Sequence, residues 1–195
     1  MRTFLRQQLW PAIAILVALT VVTGIVYPAA VTVIAQVAFK SQANGSFITT
    51  ADGRTIGSSL IGQAFDDPKY FTGRLSAAGT DGYDANSSAG SNLGPTNQDL
   101  IDRVTKQVDE MRAANGDAPI PVDLVTTSAS GLDPDISPAA AQYQVASVAN
   151  TRGMTEADVQ AAVARHTDGT LLGFIGQPRV NVLLLNLDLD GLLAK

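Results

Sequence analysis

The chain has 195 residues, enough for one domain of ordinary size and a short additional segment. Its net charge of −5 argues against a nucleic-acid-binding protein, because such proteins present a basic face. The sequence has no cysteine, which excludes a disulfide framework and thiolate metal sites, and its single histidine, His166, excludes a multi-histidine metal centre.

The N-terminal segment has the composition of a transmembrane helix. No charged residue lies between Arg6 and Lys40, and a membrane span needs about 20 mostly apolar residues. The apolar run is too long for a cleaved signal peptide, whose apolar core has about 7–15 residues. We therefore expect a short N-terminal tail at 1–9, a region at 10–39 that contains an uncleaved transmembrane helix, and a soluble domain at 41–195.

The charges that flank the span predict its orientation. Arg2 and Arg6 precede the span and Lys40 follows it, so the positive-inside rule places the N-terminus in the cytoplasm and the bulk of the chain outside. Small and polar residues within the span recur at helical spacing, which favours contact with a partner helix over a solitary anchor. The residues of this predicted contact are Thr20, Thr23, Gly24, Tyr27 and Pro28, the last of which can also kink the helix.

The first half of the soluble region predicts short strands, a long loop and one helix. Residues 44–49 and 53–65 are typical of extended segments around glycine turns. Residues 67–94 are rich in Gly, Ser, Asn and Asp and predict a long irregular loop, which its aromatic residues keep ordered. Residues 97–114 predict an amphipathic helix, with Thr96 and Asp99 as a capping pair and Gly116 as its end.

The second half predicts alternating strands and helices. The run "PVDLVTT" at 121–127 favours a strand. Ser137 and Pro138 are typical of a helix start, and Gly153 of its end near Thr151. Two further elements complete a mixed α/β extracytoplasmic domain: a helix capped by Thr155 that runs through Arg165, and a last strand, "RVNVLLLNLDLD", at 179–190.

Local motifs do not indicate an independent enzyme. "GSSLIGQA" at 57–64 has the glycine spacing of a phosphate-binding loop, but Gln63 and Ala64 stand where that loop needs lysine and a hydroxyl. "NLDLDG" at 186–191 resembles the start of a calcium loop without its final glutamate, and its alternation favours a half-buried edge strand. We expect His166 to interact with a helix dipole; a Ser–Lys pair remains open.

Asp133 and Asp135 admit two interpretations. They could act as an acid–base pair, or they could order the turn at Pro134 and the start of the next helix. We favour the structural role, and we interpret 125–141 as a strand-to-helix connection that shapes a contact surface.

Several stretches together resemble one family, the KdpC subunits of Kdp potassium-transporting ATPases. They occur in the family's order and cover most of the chain: "VTGIVYP", "GSSLIGQAF", "YFTGRLSA", "SSAGSNLGPTN", "PVDLVTTSASGLDPDISPAAA" and "LLGFIGQPRVNVLLLNLDLD". The chain departs from the family's usual residues at Asp135, where histidine or asparagine is common, and at Ser147, where arginine is common. The family-motif surface comprises Ser91, Asn92, Gly94, Pro95, Ser130, Asp133 and Ser137.

The resemblance implies a single-pass protein of the bacterial plasma membrane, in contact with lipid and not with nucleic acid. Its expected partners are a channel-like potassium-binding subunit, a P-type ATPase subunit and a small single-span subunit. The complex would hydrolyse ATP and import potassium. This chain would be a non-catalytic accessory subunit needed for assembly and stability; it would bind no cofactor tightly, because ATP and potassium are ligands of the whole complex.

The resemblance also implies a catalytic-chaperone role, in which Gln144 contacts ATP and raises the affinity of the ATPase subunit for it. This role conflicts with the predicted topology, because an outside domain does not meet cytoplasmic ATP. A structural role on the outer side of the channel-like subunit fits better. The alternative from another class is a membrane-anchored ligand-binding or sensor domain with its pocket in the loop at 67–94.

Overall fold

The computed structural model of the chain describes residues 2–50 and 53–193. The chain divides into two compact units, with the boundary between Phe47 and Ile48. Each unit has its own secondary structure and is described separately below.

The first unit is helical. The stretch Phe4–Ala38 is long and apolar enough to cross a membrane, and it is the one such stretch among the described residues. Its 35 residues would span roughly 52 Å, more than the ~30 Å of a bilayer's hydrocarbon core. A membrane-capable N-terminal helix is thus confirmed. The helical segments are α1 (Arg2–Val21), a π-helical turn (Val22–Val26), α2 (Tyr27–Ala38) and α3 (Lys40–Ala43).

The π-helical turn lies directly before Pro28. Proline has no N–H to donate to the preceding turn, so the helical hydrogen-bond pattern is broken there. The Tyr27 N–H bonds instead to the Val22 carbonyl, five residues back, and the Thr23 hydroxyl donates to the Leu19 carbonyl at 2.7 Å. The small and polar residues predicted to contact a partner helix therefore surround a widened turn, where regular α-helical spacing does not hold.

The second unit combines four helices with short strands, the first of which begins at Phe47, one residue before the boundary. β1 and β2 form a two-stranded sheet, and β3, β5 and β4 form a three-stranded sheet in that order. β5 is antiparallel to both neighbours; Ile136 and Thr167 both pair with Val180. The elements are β1 (Phe47–Thr49), β2 (Thr55–Ser58), α4 (Gln98–Asn115), a 3₁₀ turn (Val122–Leu124), β3 (Asp135–Ile136), α5 (Pro138–Arg152), α6 (Glu156–Arg165), β4 (Thr167–Asp168), β5 (Arg179–Asn181) and α7 (Val182–Leu189).

Helix α5 lies at the centre of this unit, and its limits are those expected from the sequence. Ser137 is the N-cap, Pro138 occupies the first turn, and Gly153 ends the helix in the left-handed region at φ 64°. Helix α5 supplies five of the fifteen described core residues, more than any other element, and Phe71 of the long loop belongs to the same cluster. The remaining members come from α4, the 3₁₀ turn, α6, α7 and the strands, among them Met111, Leu124, Ile136, Val159, Val163, Val180 and Leu185.

Two predicted strands are wrong. Residues 122–124 form a 3₁₀ turn that buries Leu124 and leaves Val122 exposed. Of the strand predicted at 179–190, only Arg179–Asn181 is extended. The Asn181 side chain then accepts a hydrogen bond from the Leu184 N–H and starts α7. The alternation of Leu and polar residues suggested a strand, but Asn186 is buried too, so the true spacing is helical.

The predicted cap of α4 is off by one residue. Asn97, not Thr96, is the N-cap, and its side chain accepts from the Asp99 N–H at 2.7 Å. The predicted end at Gly116 is confirmed. The stretch at 67–94 contains no named helix or strand, as expected, although Leu75 makes an isolated bridge with Thr127.

Candidate functional site

Two buried amides hold the start of the loop at 67–94. The Asn186 Oδ1 accepts from the Phe71 N–H at 2.9 Å, and its Nδ2 donates to the Phe71 carbonyl at 2.9 Å. The Gln144 Oε1 accepts from the Thr72 N–H and hydroxyl, and its Nε2 donates to the Thr72 carbonyl. We call these four residues the amide clamp. The clamp fixes two successive backbone positions of the loop on α5 and α7.

The clamp defines the environment of Gln144. Its side chain is 4% exposed, and its Nε2 makes a second bond to the Ala140 carbonyl at 3.2 Å. Its amide thus accepts two hydrogen bonds and donates two, which is its ordinary capacity. The neighbouring cavity, of about 220 Å³, is lined in part by Asp66, Asp67 and Glu110.

The same loop packs against the connection that precedes α5. Ser76 donates to the Gly131 carbonyl at 2.6 Å, and Ser88 donates to the Ser130 carbonyl at 2.9 Å. Gly131 has φ 67°, and a Cβ there would lie 2.5 Å from the Ala89 carbonyl oxygen, so glycine is required. The Ser88 hydrogen bond thus joins the motif "SSAGSNLGPTN" to the motif "PVDLVTTSASGLDPDISPAAA".

A hollow of about 600 Å³ opens beside this connection. We call it the charged hollow; it is lined by Arg74, Asp123, Asp133, Asp135, Ser137 and Arg179, among others. Arg74 donates to Asp133 at 3.3 Å, and Arg179 lies 3.1 Å from Asp135 and 3.2 Å from Asp168. The guanidinium groups are therefore already paired with carboxylates.

Burial raises the pKa values of two groups in or next to the charged hollow. Burial raises the pKa of Asp135, while Arg179 and the Asn181 amide oppose that shift. Burial also raises the pKa of Tyr83 to about 12, and its hydroxyl donates to the Arg74 carbonyl. The phenol is thus a neutral donor that fixes the loop, not a base.

Ser137 and Asp133 have structural partners. The Ser137 Oγ accepts from the Ala140 N–H at 3.0 Å, and its N–H and hydroxyl donate to the Asp123 carboxylate at 2.8 and 3.2 Å. Asp133 accepts from the Asp135 N–H at 3.1 Å. Asp133 therefore orders the turn at Pro134, while Asp123, which was not foreseen, braces the start of α5.

The remaining predicted surface residues lie apart from the charged hollow. Thr127 donates to the Ser91 hydroxyl at 3.3 Å, and Asn92 has φ 52°. The Gly94 carbonyl accepts from the Asn97 N–H, and Pro95 next to it is exposed.

His166 ends α6, as expected, but its imidazole has a specific partner. Its Nε2 lies 3.1 Å from the Asp188 carboxylate, which also accepts from Arg165 at 2.7 Å. Burial raises the pKa of Asp188, but the hydrogen bonds from Arg165 and His166 outweigh it and lower that pKa. The contacts of Arg165 and His166 with Asp188 connect the end of α6 to α7.

Sequence reasoning missed two features. The first is the amide clamp at Asn186, for which the only indication was a lone polar residue within an apolar run. The second is the loop between β4 and β5, where four large apolar side chains are exposed: Leu171, Leu172, Phe174 and Ile175. The uncharged stretch "GTLLGFIGQP" at 169–178 was a visible indication of the second.

These observations define a protein with one membrane-capable helix and a mixed α/β unit whose polar side chains mainly fix loops. The chain belongs to the KdpC family: the family model described as "K+-transporting ATPase, c chain" matches residues 9–191. The resemblance noted from the sequence motifs is confirmed.

Curated relatives match nearly the whole chain. The potassium-transporting ATPase KdpC subunit of Sorangium cellulosum is 58% identical over 186 residues, 94% of this chain and 97% of that protein. The KdpC subunit of Herpetosiphon aurantiacus is 56% identical over 192 residues, 97% of each. The KdpC subunit of Koribacter versatilis is 54% identical over 187 residues, 96% of each.

Proposed function

We propose that this chain is a non-catalytic accessory subunit of an ATP-driven potassium importer in the bacterial plasma membrane. The family match along 9–191 carries the proposal. The expected partners are a channel-like potassium-binding subunit, a P-type ATPase subunit and a small single-span subunit. The role of the chain is to assemble and stabilise this complex from the outer side of the membrane.

The polar groups of the second unit support a mechanical role. The carboxylates and guanidinium groups of the charged hollow pair with each other, and the amides of the clamp bond to backbone. Buried polar groups that satisfy one another stabilise a single conformation. The acidic surface would also enrich cations near a pore entrance.

A deletion tests the proposal. Membranes that contain the other subunits but lack this chain are expected to lose assembled complex and potassium-stimulated ATP hydrolysis, and the full chain should restore both. The proposal is wrong if the complex assembles and transports potassium normally without the chain.

The proposed orientation has its own test, because the chain has no natural cysteine. A single cysteine introduced by Ser130→Cys, at an exposed position, should react with a membrane-impermeant maleimide in intact spheroplasts. One introduced by Thr3→Cys should react only after lysis. The reverse pattern would place the second unit in the cytoplasm.

The resemblance brings a second role, in which Gln144 contacts ATP. Gln144 lies beside a cavity, but about 220 Å³ is below the ~300–1,000 Å³ of ordinary ligand pockets, and its carboxylates repel a triphosphate. Gln144→Leu discriminates the two roles. Both roles predict a lowered unfolding temperature, because the amide clamp is broken; only a chaperone role predicts that the assembled variant also has a raised KM for ATP.

A further inference from the structure

The loop between β4 and β5 carries the densest exposed apolar cluster of the second unit. Four of the nine exposed large apolar side chains described between 48 and 193 lie within its five residues 171–175. We call Leu171, Leu172, Phe174 and Ile175 the hairpin tip. Scattered exposed apolar residues are normal, but a contiguous cluster of this kind marks an interaction surface.

The hairpin tip is held rigidly. The Leu171 and Ile175 backbones exchange two hydrogen bonds of 2.9 Å, which close a tight turn. At its base Asp168 pairs in register with Arg179, and their side chains form an ion pair at 3.2 Å. A preorganised loop loses less conformational entropy when it binds.

Leu172 is exposed to solvent and has an unfavourable backbone conformation. It is 76% exposed and has φ 56°, in the left-handed region that disfavours a side chain such as leucine. Phe174 beside it is 77% exposed. Neither burial among the residues that the structure describes nor backbone preference accounts for these two side chains, and a contact from outside the chain would do so.

We propose that the hairpin tip docks into an uncharged, apolar recess on the extramembrane surface of an integral membrane subunit of the transporter. This inference rests on the proposed function. The recess should be near neutral, because residues 169–178 carry no charge and the charges at the base of the hairpin neutralise each other.

The chain itself limits where the partner is. Ala38 ends α2 and Phe47 begins β1, so residues 39–46, which include the short helix α3, form the connection. Covalent geometry limits such a connection to about 30 Å whatever the orientation of the two units. The unit that carries the hairpin is therefore held to the same membrane as the integral subunits of the transporter.

The charge of the unit argues against lipid as the occupant. All 18 acidic residues but only 10 of the 13 basic ones lie after residue 40, which gives this region a net charge of −8. Such a charge is repelled by anionic lipids. Segments that anchor at the bilayer interface carry Trp, Tyr, Lys or Arg, and 169–178 contains none of these.

Site-specific cross-linking tests the occupant. The cysteine-free full chain, carrying Phe174→Cys, is co-expressed with the other subunits, labelled with a maleimide–benzophenone, and illuminated. We expect an adduct with an integral subunit of the transporter. The matched control, Leu60→Cys, is at a similarly exposed position (61%) and should give much less. An adduct mainly with lipid, with a second copy of this chain, or with nothing would overturn the inference.

Substitutions in the hairpin tip test how much it contributes to binding of the transporter subunits. The double variant Leu172→Ser/Phe174→Ser should reduce the co-purified subunits by about tenfold or more, as for central apolar anchors. The control Leu60→Ser/Ile101→Ser, also on exposed positions, should leave them unchanged. Undiminished co-purification of the double variant would refute the docking. If the wild-type chain itself captures no transporter subunit, the proposed function fails instead.

Discussion

The amide clamp makes a quantitative prediction about Asn186. Asn186 is 1% exposed and bonds both the N–H and the carbonyl of Phe71 at 2.9 Å. Asn186→Leu keeps the heavy-atom count and the branching of the side chain but leaves both backbone groups buried without these partners. Each such group costs roughly 1–3 kcal/mol, and the apolar replacement offsets roughly 1 kcal/mol. We expect the free energy of unfolding to fall by about 3 kcal/mol.

The assay is urea unfolding of the full chain in detergent, followed by circular dichroism at 222 nm. The detergent-embedded helix provides a constant background, so the transition reports the second unit. The control Asn150→Leu changes an exposed amide and should stay within about 0.5 kcal/mol of the wild type. If Asn186→Leu also stays within that range, the clamp does not stabilise the loop.

A second variant at this position gives a pH signature. Asn186→Asp introduces a carboxyl that can donate to the Phe71 carbonyl only while protonated. Burial raises its pKa in the folded chain above the ~3.9 of the unfolded chain. The folded state then binds more protons, so the stability of the variant should fall as pH rises through that value. A loss of stability equal at pH 3.5 and pH 7 would contradict this reasoning.

Three further outcomes are expected. Ser137→Ala should lower the free energy of unfolding by about 1 kcal/mol through loss of the helix cap, and Ser137→Thr should retain most of it in the same urea assay. Asp188→Asn should destabilise by less than about 1 kcal/mol, because Arg165 is largely exposed; since the pKa of Asp188 is lowered, the difference from the wild type should be present at pH 6 and be lost as pH falls below the ~3.9 of an unfolded aspartate and through the lowered folded-state pKa. Leu172→Gly should raise the stability of the free chain by up to about 1 kcal/mol by relieving the left-handed backbone, yet weaken capture of the transporter subunits.

The elements foreseen from the sequence are those with explicit start and stop residues. Ser137 with Pro138, Gly153 and Thr155 all occur where local side chain–backbone bonding determines the helix limits. Such bonding depends on neighbouring residues alone, so a single sequence reveals it.

The errors arose where tertiary contacts overrode the local pattern. The alternation at 186–191 predicts a half-buried edge strand, but the Asn186 amide is buried in a helix because Phe71, 115 positions away, supplies its partners. Val122 suggested a strand, yet Asp123 beside it braces the start of α5. Partners this distant in sequence leave no periodic trace.

The sequence identified individual residues of the candidate site, but it did not show which side chains they contact. Asp133 and Ser137 were named from motifs, whereas their partners Arg74 and Asp123 became visible only in the fold. The hairpin tip was overlooked because an apolar run is read first as core, and its exposure follows from the register of β4 and β5.

The central claim is that this chain acts as a subunit of a potassium-transporting ATPase. Its most direct test is to tag the chain after Lys195, solubilise membranes gently, and identify the chains that co-purify together with the potassium-stimulated ATP hydrolysis they retain. We predict a P-type ATPase subunit and a multi-span potassium-binding subunit, with activity that follows the tag. A chain that purifies alone from membranes containing those subunits would contradict the account.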